Sequence, residues 1–129
     1  MAQIRDVMAT SLLTVEAGTP LTKAAAQMDA RRVGAVLVLD GERVAGILTE
    51  RDVLRAVAGG GVEGTTVGTW MTAHPETTEP DETTGRAAAI MIHGGFRHLP
   101  VLDGGKLVGI VSIRDLMRTV LDDEAPRGV

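Results

Sequence analysis

The sequence predicts an α/β fold of two similar βαββα-type units packed with pseudo-two-fold symmetry. Three observations carry this expectation. An ungapped internal repeat pairs Ile4 with Val67 and runs to Ala58 and Leu121, always at an offset of 63 residues, with roughly a third of the paired positions identical. Each copy has a helix-period segment followed by two short apolar runs around Asp-Gly, at Asp40-Gly41 and Asp103-Gly104. Each copy then places a hydroxyl three residues before an aspartate, Thr49 to Asp52 and Ser112 to Asp115, where a second helix opens.

In the first copy, Leu13, Thr14 and Val15 read as a short extended segment. Thr19-Pro20 reads as a helix start, with Thr19 as cap and Pro20 at the first helical position. Leu21, Ala24, Ala25 and Met28 recur at helical spacing, and the helix should end near Arg31-Arg32. Residues 35–39 form a continuous apolar run, consistent with a strand buried on both faces. Residues 43–48 read as the returning strand, and 49–57 as a helix with Val53, Leu54 and Val57 on one side. The second copy repeats the plan: an extended segment at 76–78, a helix from Asp81 or Thr83, strands at 99–102 and 107–111, and a helix over 113–121. The expected boundaries are 1–60 and 67–122 for the two units, 61–66 for a Gly-rich linker, and 123–129 for a disordered tail. The linker region carries the letters G-x-G-x-x-G at residues 59–64, but it follows a helix rather than a strand, so it reads as a linker and not a dinucleotide loop.

Composition narrows the function classes. At 129 residues, each half is too small to be more than marginally stable alone, which predicts a shared core. The net charge of −4 and aromatic content of 2% argue against generic nucleic-acid binding and against base stacking on aromatic platforms. No cysteine is present, and His74, His93 and His98 lack zinc-ligand spacing, so neither thiol chemistry nor a metal site is expected. Nothing arranges a nucleophile with a base, so no catalytic residue is assigned. With no signal-peptide pattern and no long apolar run, the expected location is the cytoplasm, without a membrane partner.

The repeat resembles a tandem pair of CBS domains, the cystathionine-β-synthase-type regulatory module. The resemblance is carried by Val7-Met8 and Trp70-Met71 ahead of each unit, and by Ala24 and Ala87 in the first helices. It continues through Gly34-Ala35-Val36-Leu37-Val38 and Arg97-His98-Leu99-Pro100-Val101, then Gly46-Ile47-Leu48-Thr49-Glu50-Arg51-Asp52 and Gly109-Ile110-Val111-Ser112-Ile113-Arg114-Asp115. It implies a stand-alone regulatory sensor that binds AMP, ADP, ATP or S-adenosylmethionine in clefts between the two units. It also implies a homodimer, a protein target whose activity is altered, and no required cofactor. The alternative is a dimerisation or interaction module with degenerate clefts.

The candidate site follows from residue chemistry beside that resemblance. Thr49 with Asp52, and Ser112 with Asp115, are explained without a ligand as capping boxes. The same geometry suits a nucleotide, because a helix start offers N–H groups to phosphate and an acceptor-only carboxylate suits the two donors of a ribose diol. The resemblance places adenine at the strand entrance, at Val33, Gly34 and Ala35, through small apolar groups and open backbone. Phe96, Arg97, His98 and Pro100 stand at the corresponding place in the second copy, where Arg97 and His98 offer phosphate contacts and Pro100 a stacking surface. The bland alternative makes Val36 and Leu99 core and Arg97 a solvated charge. Arg51 and Arg114 either neutralise phosphate or pair with surface acids. Because Gly34-Ala35 stands where the second copy has Arg97-His98, the two clefts should differ in preference.

Overall fold

The structure, a computed structural model, describes residues 2–124. Its elements are α1 (Ile4–Val7), β1 (Thr14–Val15), α2 (Leu21–Arg31), β2 (Ala35–Asp40), β3 (Arg43–Thr49), α3 (Glu50–Ala58) and α4 (Val67–Trp70). They continue with β4 (Thr72–Ala73), α5 (Thr84–Gly94), β5 (His98–Asp103), β6 (Lys106–Ser112) and α6 (Ile113–Glu124). The class is mixed α/β, and the first copy shows the strand-helix-strand-strand-helix order. The chain after residue 124, which holds most of the expected tail, lies outside the described residues.

The hairpins form where Asp-Gly predicts them. Gly41 and Gly104 take φ of 63° and 59°, the left-handed region a tight turn needs and a Cβ disfavours. β2 pairs antiparallel with β3 from Ala35↔Thr49 to Asp40↔Arg43, and β5 with β6 from His98↔Ser112 to Asp103↔Lys106. The two registers are the same after the 63-residue shift, including the irregularity after Val38 and after Val101. The first four residues of β2 are all buried, as its unbroken apolar run requires.

Contacts divide the chain into two compact units that do not coincide with its two repeats. One unit is continuous, Leu12–Pro75; the other is split, joining the segment up to Ser11 to the chain from Glu76 onward. The lead-in to each repeat therefore packs in the unit built from the other repeat. In the continuous unit the sheet order is β1-β2-β3-β4, where β4 belongs to the second repeat's lead-in and pairs with β3. In the split unit Ala9, from the first lead-in, bridges Ile110 on β6. The same backbone bonds hold both lead-ins: Val67 and Gly68 donate to the carbonyls of Thr19 and Ala17, and Ile4 and Arg5 to those of Glu82 and Pro80.

The glycine of each Gly-Ile pair makes this docking possible. A Cβ on Gly46 would lie 2.5 Å from Met71 Sδ and 2.9 Å from the Thr72 carbonyl. A Cβ on Gly109 would lie 2.7 Å from Met8 Sδ and 3.0 Å from the Ala9 carbonyl. Both distances are too short for any side chain, so hydrogen at these positions is what lets the lead-in backbone approach the sheet.

Each unit holds a cluster of buried hydrophobics among the described residues. The continuous unit holds Leu21, Ala24, Met28, Val36, Val38, Leu48, Ala56 and Val67. The split unit holds Ile4, Ala87, Met91, Leu99, Val101, Val111 and Leu116. Ala24, Met28, Val36, Val38, Leu48 and Val67 map by the repeat onto Ala87, Met91, Leu99, Val101, Val111 and Ile4. One correction concerns the first helix. Thr19 does not cap it: its hydroxyl accepts from the Glu16 amide at 3.3 Å, and Pro20 itself occupies the cap position with extended ψ. In the second copy Thr83 does cap α5, accepting from the Arg86 amide at 3.2 Å.

Candidate functional site

The strand entrance and the helix start of each unit are joined by one backbone bond. The Glu50 amide donates to the Gly34 carbonyl at 3.1 Å, and the Ile113 amide to the Arg97 carbonyl at 2.9 Å. Sheet pairing adds Ala35 opposite Thr49 and His98 opposite Ser112. Residues some fifteen positions apart in sequence are thus neighbours because the hairpin folds back on itself. Val33, Gly34 and Ala35 lie with Thr49, Arg51 and Asp52 in the continuous unit. Arg97, His98 and Pro100 lie with Ser112, Arg114 and Asp115 in the split unit.

At α3, the Thr49 amide donates to Asp52 Oδ2 at 2.9 Å, and the Thr49 hydroxyl stands 3.2 Å from the same oxygen. At α6, the Ser112 amide donates to Asp115 Oδ2 at 2.9 Å, while Ser112 Oγ accepts from the Asp115 amide at 3.1 Å. The hydroxyl and the carboxylate therefore satisfy helix-start groups, as the capping reading requires. The bond from the first helical amide to Gly34 or Arg97 uses another. Fewer amides remain for a phosphate than a bare helix start would offer.

The carboxylates keep capacity beyond capping. Only Oδ2 serves the cap. Oδ1 of Asp52 faces Arg55 Nη1 at 3.7 Å, and Oδ1 of Asp115 faces Arg118 Nη1 at 3.9 Å, both too long for a hydrogen bond. Each aspartate thus holds one oxygen fixed by backbone and a second open to a donor. The Asp52 side chain is 8% exposed and that of Asp115 20%.

The other candidates divide. Arg51, Arg97 and Arg114 are exposed and enter no ion pair among the described residues. Val33, Gly34 and His98 are half-buried, and Ala35 is buried. Pro100 is fully buried, so its ring offers no open surface to a base. Val36 and Leu99 are core. Sequence reasoning passed over Arg55 and Arg118, although a signal was present: Asp-x-x-Arg recurs at the repeat offset in both copies. Among the described residues no group of His, Asp and Glu is placed to hold a metal ion, and no helix is long and apolar enough to cross a membrane.

The profile of the CBS domain family matches residues 4–59 and 67–122. The CBS domain-containing protein YhcV of Bacillus subtilis is 32% identical over 126 residues, covering 97% of this chain and 90% of its own. A protein with CBS domains from Burkholderia ambifaria MC40-6 has a solved structure that is 38% identical, covers 93% of this chain and 90% of its own, and superposes with a TM-score of 0.85. Two more distant structures share the fold. The CBS domain pair of MJ0100, in complex with 5′-methylthioadenosine and S-adenosyl-L-methionine, is 22% identical with a TM-score of 0.88, covering 95% of this chain and 98% of its own. CBSX2, in complex with AMP, is 24% identical with a TM-score of 0.82, covering 96% and 99%.

Proposed function

We propose, because this chain belongs to the CBS-domain family as a tandem pair, that it is a regulatory module binding an adenosine-containing ligand without catalysing a reaction. The ligand class is AMP, ADP, ATP or S-adenosylmethionine. The observation that carries the reading is the duplicated junction of strand entrance and helix start, with its half-used carboxylate. Asp52 and Asp115 accept from the ribose diol through Oδ1 while the cap holds Oδ2. The Thr49 and Ser112 hydroxyls, with the Arg51 and Arg114 guanidiniums, meet the phosphate end. Gly34 and Ala35, and the backbone at Arg97 and His98, bound the base. Solved relatives of the same fold in complex with AMP or S-adenosyl-L-methionine support the ligand class.

The module acts in the cytoplasm as a homodimer and passes the ligand's presence to a protein target, with no nucleic-acid or membrane partner. Binding favours one arrangement only through differential affinity for it. Calorimetric titration with AMP, ATP and S-adenosylmethionine tests the reading. Binding is expected to fall at least tenfold at one site in Asp52→Ala and at the other in Asp115→Ala, since each loses a charged acceptor. Silence from all three ligands, with the protein shown to be folded, overturns it.

A second reading is a dimerisation or interaction module with degenerate sites. It is favoured by exposed apolar residues on two helices, Leu54 on α3 and its counterpart Met117 on α6, with Val57 and Leu121 exposed on the same two helices. It predicts a dimer by sedimentation that no adenosine ligand alters.

A further inference from the structure

We infer that the two sites differ in the charge of the ligand they take. The split unit's site selects a polyphosphorylated nucleoside, and the continuous unit's site a nucleoside of lower negative charge. This deepens the adenosine-ligand reading and rests on it.

The two junctions have the same backbone and different charges. Arg51, Asp52 and Arg55 recur as Arg114, Asp115 and Arg118. The three remaining positions differ: Gly34, Ala35 and Glu50 in the continuous unit are Arg97, His98 and Ile113 in the split unit. In the continuous unit, two arginines and two carboxylates cancel in formal charge, although only Arg55 faces one of them, Asp52. In the split unit, three arginines stand against one carboxylate, leaving a formal excess of two positive charges.

Among the described residues, no ion pair takes up the excess. Arg118 faces Asp115, whereas Arg97 and Arg114 are exposed and enter no ion pair among the described residues. Their backbones are held side by side, because Arg97 accepts from the amide of Ile113, the residue before Arg114. Two exposed arginines on adjoining backbone, outside any ion pair among the described residues, give this junction a positive charge that an anion offsets. Guanidinium groups also match phosphate oxygens in geometry. In the continuous unit, by contrast, Glu50 stands where the split unit has Ile113, and each added phosphate meets a carboxylate. The discrimination grows with each phosphate on the ligand, since the base and ribose contacts are common to both sites.

The test isolates one site at a time in the full chain. Asp52→Ala leaves the split unit's site, and Asp115→Ala leaves the other. Each is titrated with adenosine, AMP, ADP and ATP in magnesium-free buffer at low and high salt. With Asp52→Ala, affinity is expected to rise about tenfold or more from AMP to ATP, and the rise shrinks in high salt. With Asp115→Ala, it stays level or falls. Adding Arg97→Ala to Asp52→Ala removes the rise and leaves adenosine within about twofold. Transplanting Gly34→Arg and Ala35→His into Asp115→Ala creates a rise. Equal AMP-to-ATP ratios at the two sites overturn the inference, as does an Arg97→Ala loss that is the same for adenosine and ATP. Failure of all four ligands to bind either site overturns the adenosine reading itself, a result distinct from binding without charge selection.

Discussion

The continuous unit keeps its leading strand and the split unit does not. In the first, Leu37 donates its amide to the Leu13 carbonyl at 3.1 Å, and β1 pairs with β2 at Thr14↔Leu37 and Val15↔Val38. In the second, Pro100 occupies the place of Leu37 and has no amide to give. Only Thr78 remains in register, donating to Pro100 and accepting from Leu102, and the expected strand at 76–78 becomes a single bridge to Val101. One residue thus removes a strand while the hairpin beside it keeps its register. The helix ends differ in the same local way. Arg32 closes α2 at φ 55°, a left-handed conformation that costs a side chain about 1 kcal/mol, whereas Gly95 takes φ 74° freely. Gly94 and Phe96 stand for Arg31 and Val33, and a Cβ at Gly94 would collide with the Phe96 ring. The second copy thus exchanges a long polar side chain for an aromatic one that needs the space.

Four substitutions probe this contrast. The largest effect is expected from Ile4→Ala. Ile4 is fully buried and comes from the exchanged lead-in, yet it joins the split unit's core. Losing it should lower stability by about 2–5 kcal/mol in denaturant unfolding. A near-neutral result would mean that the lead-in does not complete that core. Trp70, the single tryptophan, lies in the continuous unit with Nε1 donating to Thr65 Oγ1 at 3.0 Å. Its emission therefore follows one unit while circular dichroism follows both, and Ile4→Ala should separate the two curves.

Leu37→Pro should make the continuous unit resemble the split one. It removes the bond to Leu13 and should lower stability by at least about 1–3 kcal/mol in denaturant unfolding, while the Val15 amide, whose counterpart Thr78 keeps its bond to Pro100, stays protected. A near-neutral change in stability would show that the missing amide at Pro100 is not what removed the second strand. A smaller effect is expected from Ser112→Ala, about 0.5–2 kcal/mol, because the Asp115 amide loses its acceptor. Thermal unfolding measures it. Thr49→Ala should cost less than Ser112→Ala, since the Thr49 hydroxyl engages the carboxylate of Asp52, which the Thr49 amide already holds.

Much of this was legible in the residues. The Asp-Gly turns, the alanine-rich helix faces and the hydroxyl-x-x-aspartate starts are local signals, and each sits where the structure places the element. The turns place 40 opposite 43 and 103 opposite 106, but the irregularity after Val38 and Val101 shifts the rest of each ladder by one residue, so the meeting of 34 with 50 and of 97 with 113 came from the structure. The short helices α1 and α4 were not legible, since four residues carry no periodicity. Pro100 was offered as a stacking surface, and only its burial in the folded unit shows otherwise. The arginines three residues after each aspartate were visible as a repeat, but nothing before the structure tied them to the carboxylates.

The amino-acid pattern by itself determined two equivalent hairpins with flanking helices and the unequal charge of the two candidate sites. Turn chemistry and periodicity act between near neighbours, and the 63-residue repeat shows them twice. Only the tertiary structure decided that Met8 packs on Gly109 and Met71 on Gly46. Both copies carry the same methionine lead-in and the same glycine notch, so local preference cannot say which is matched with which. The choice is made by long-range packing, where Ile4 completes one core and Val67 the other.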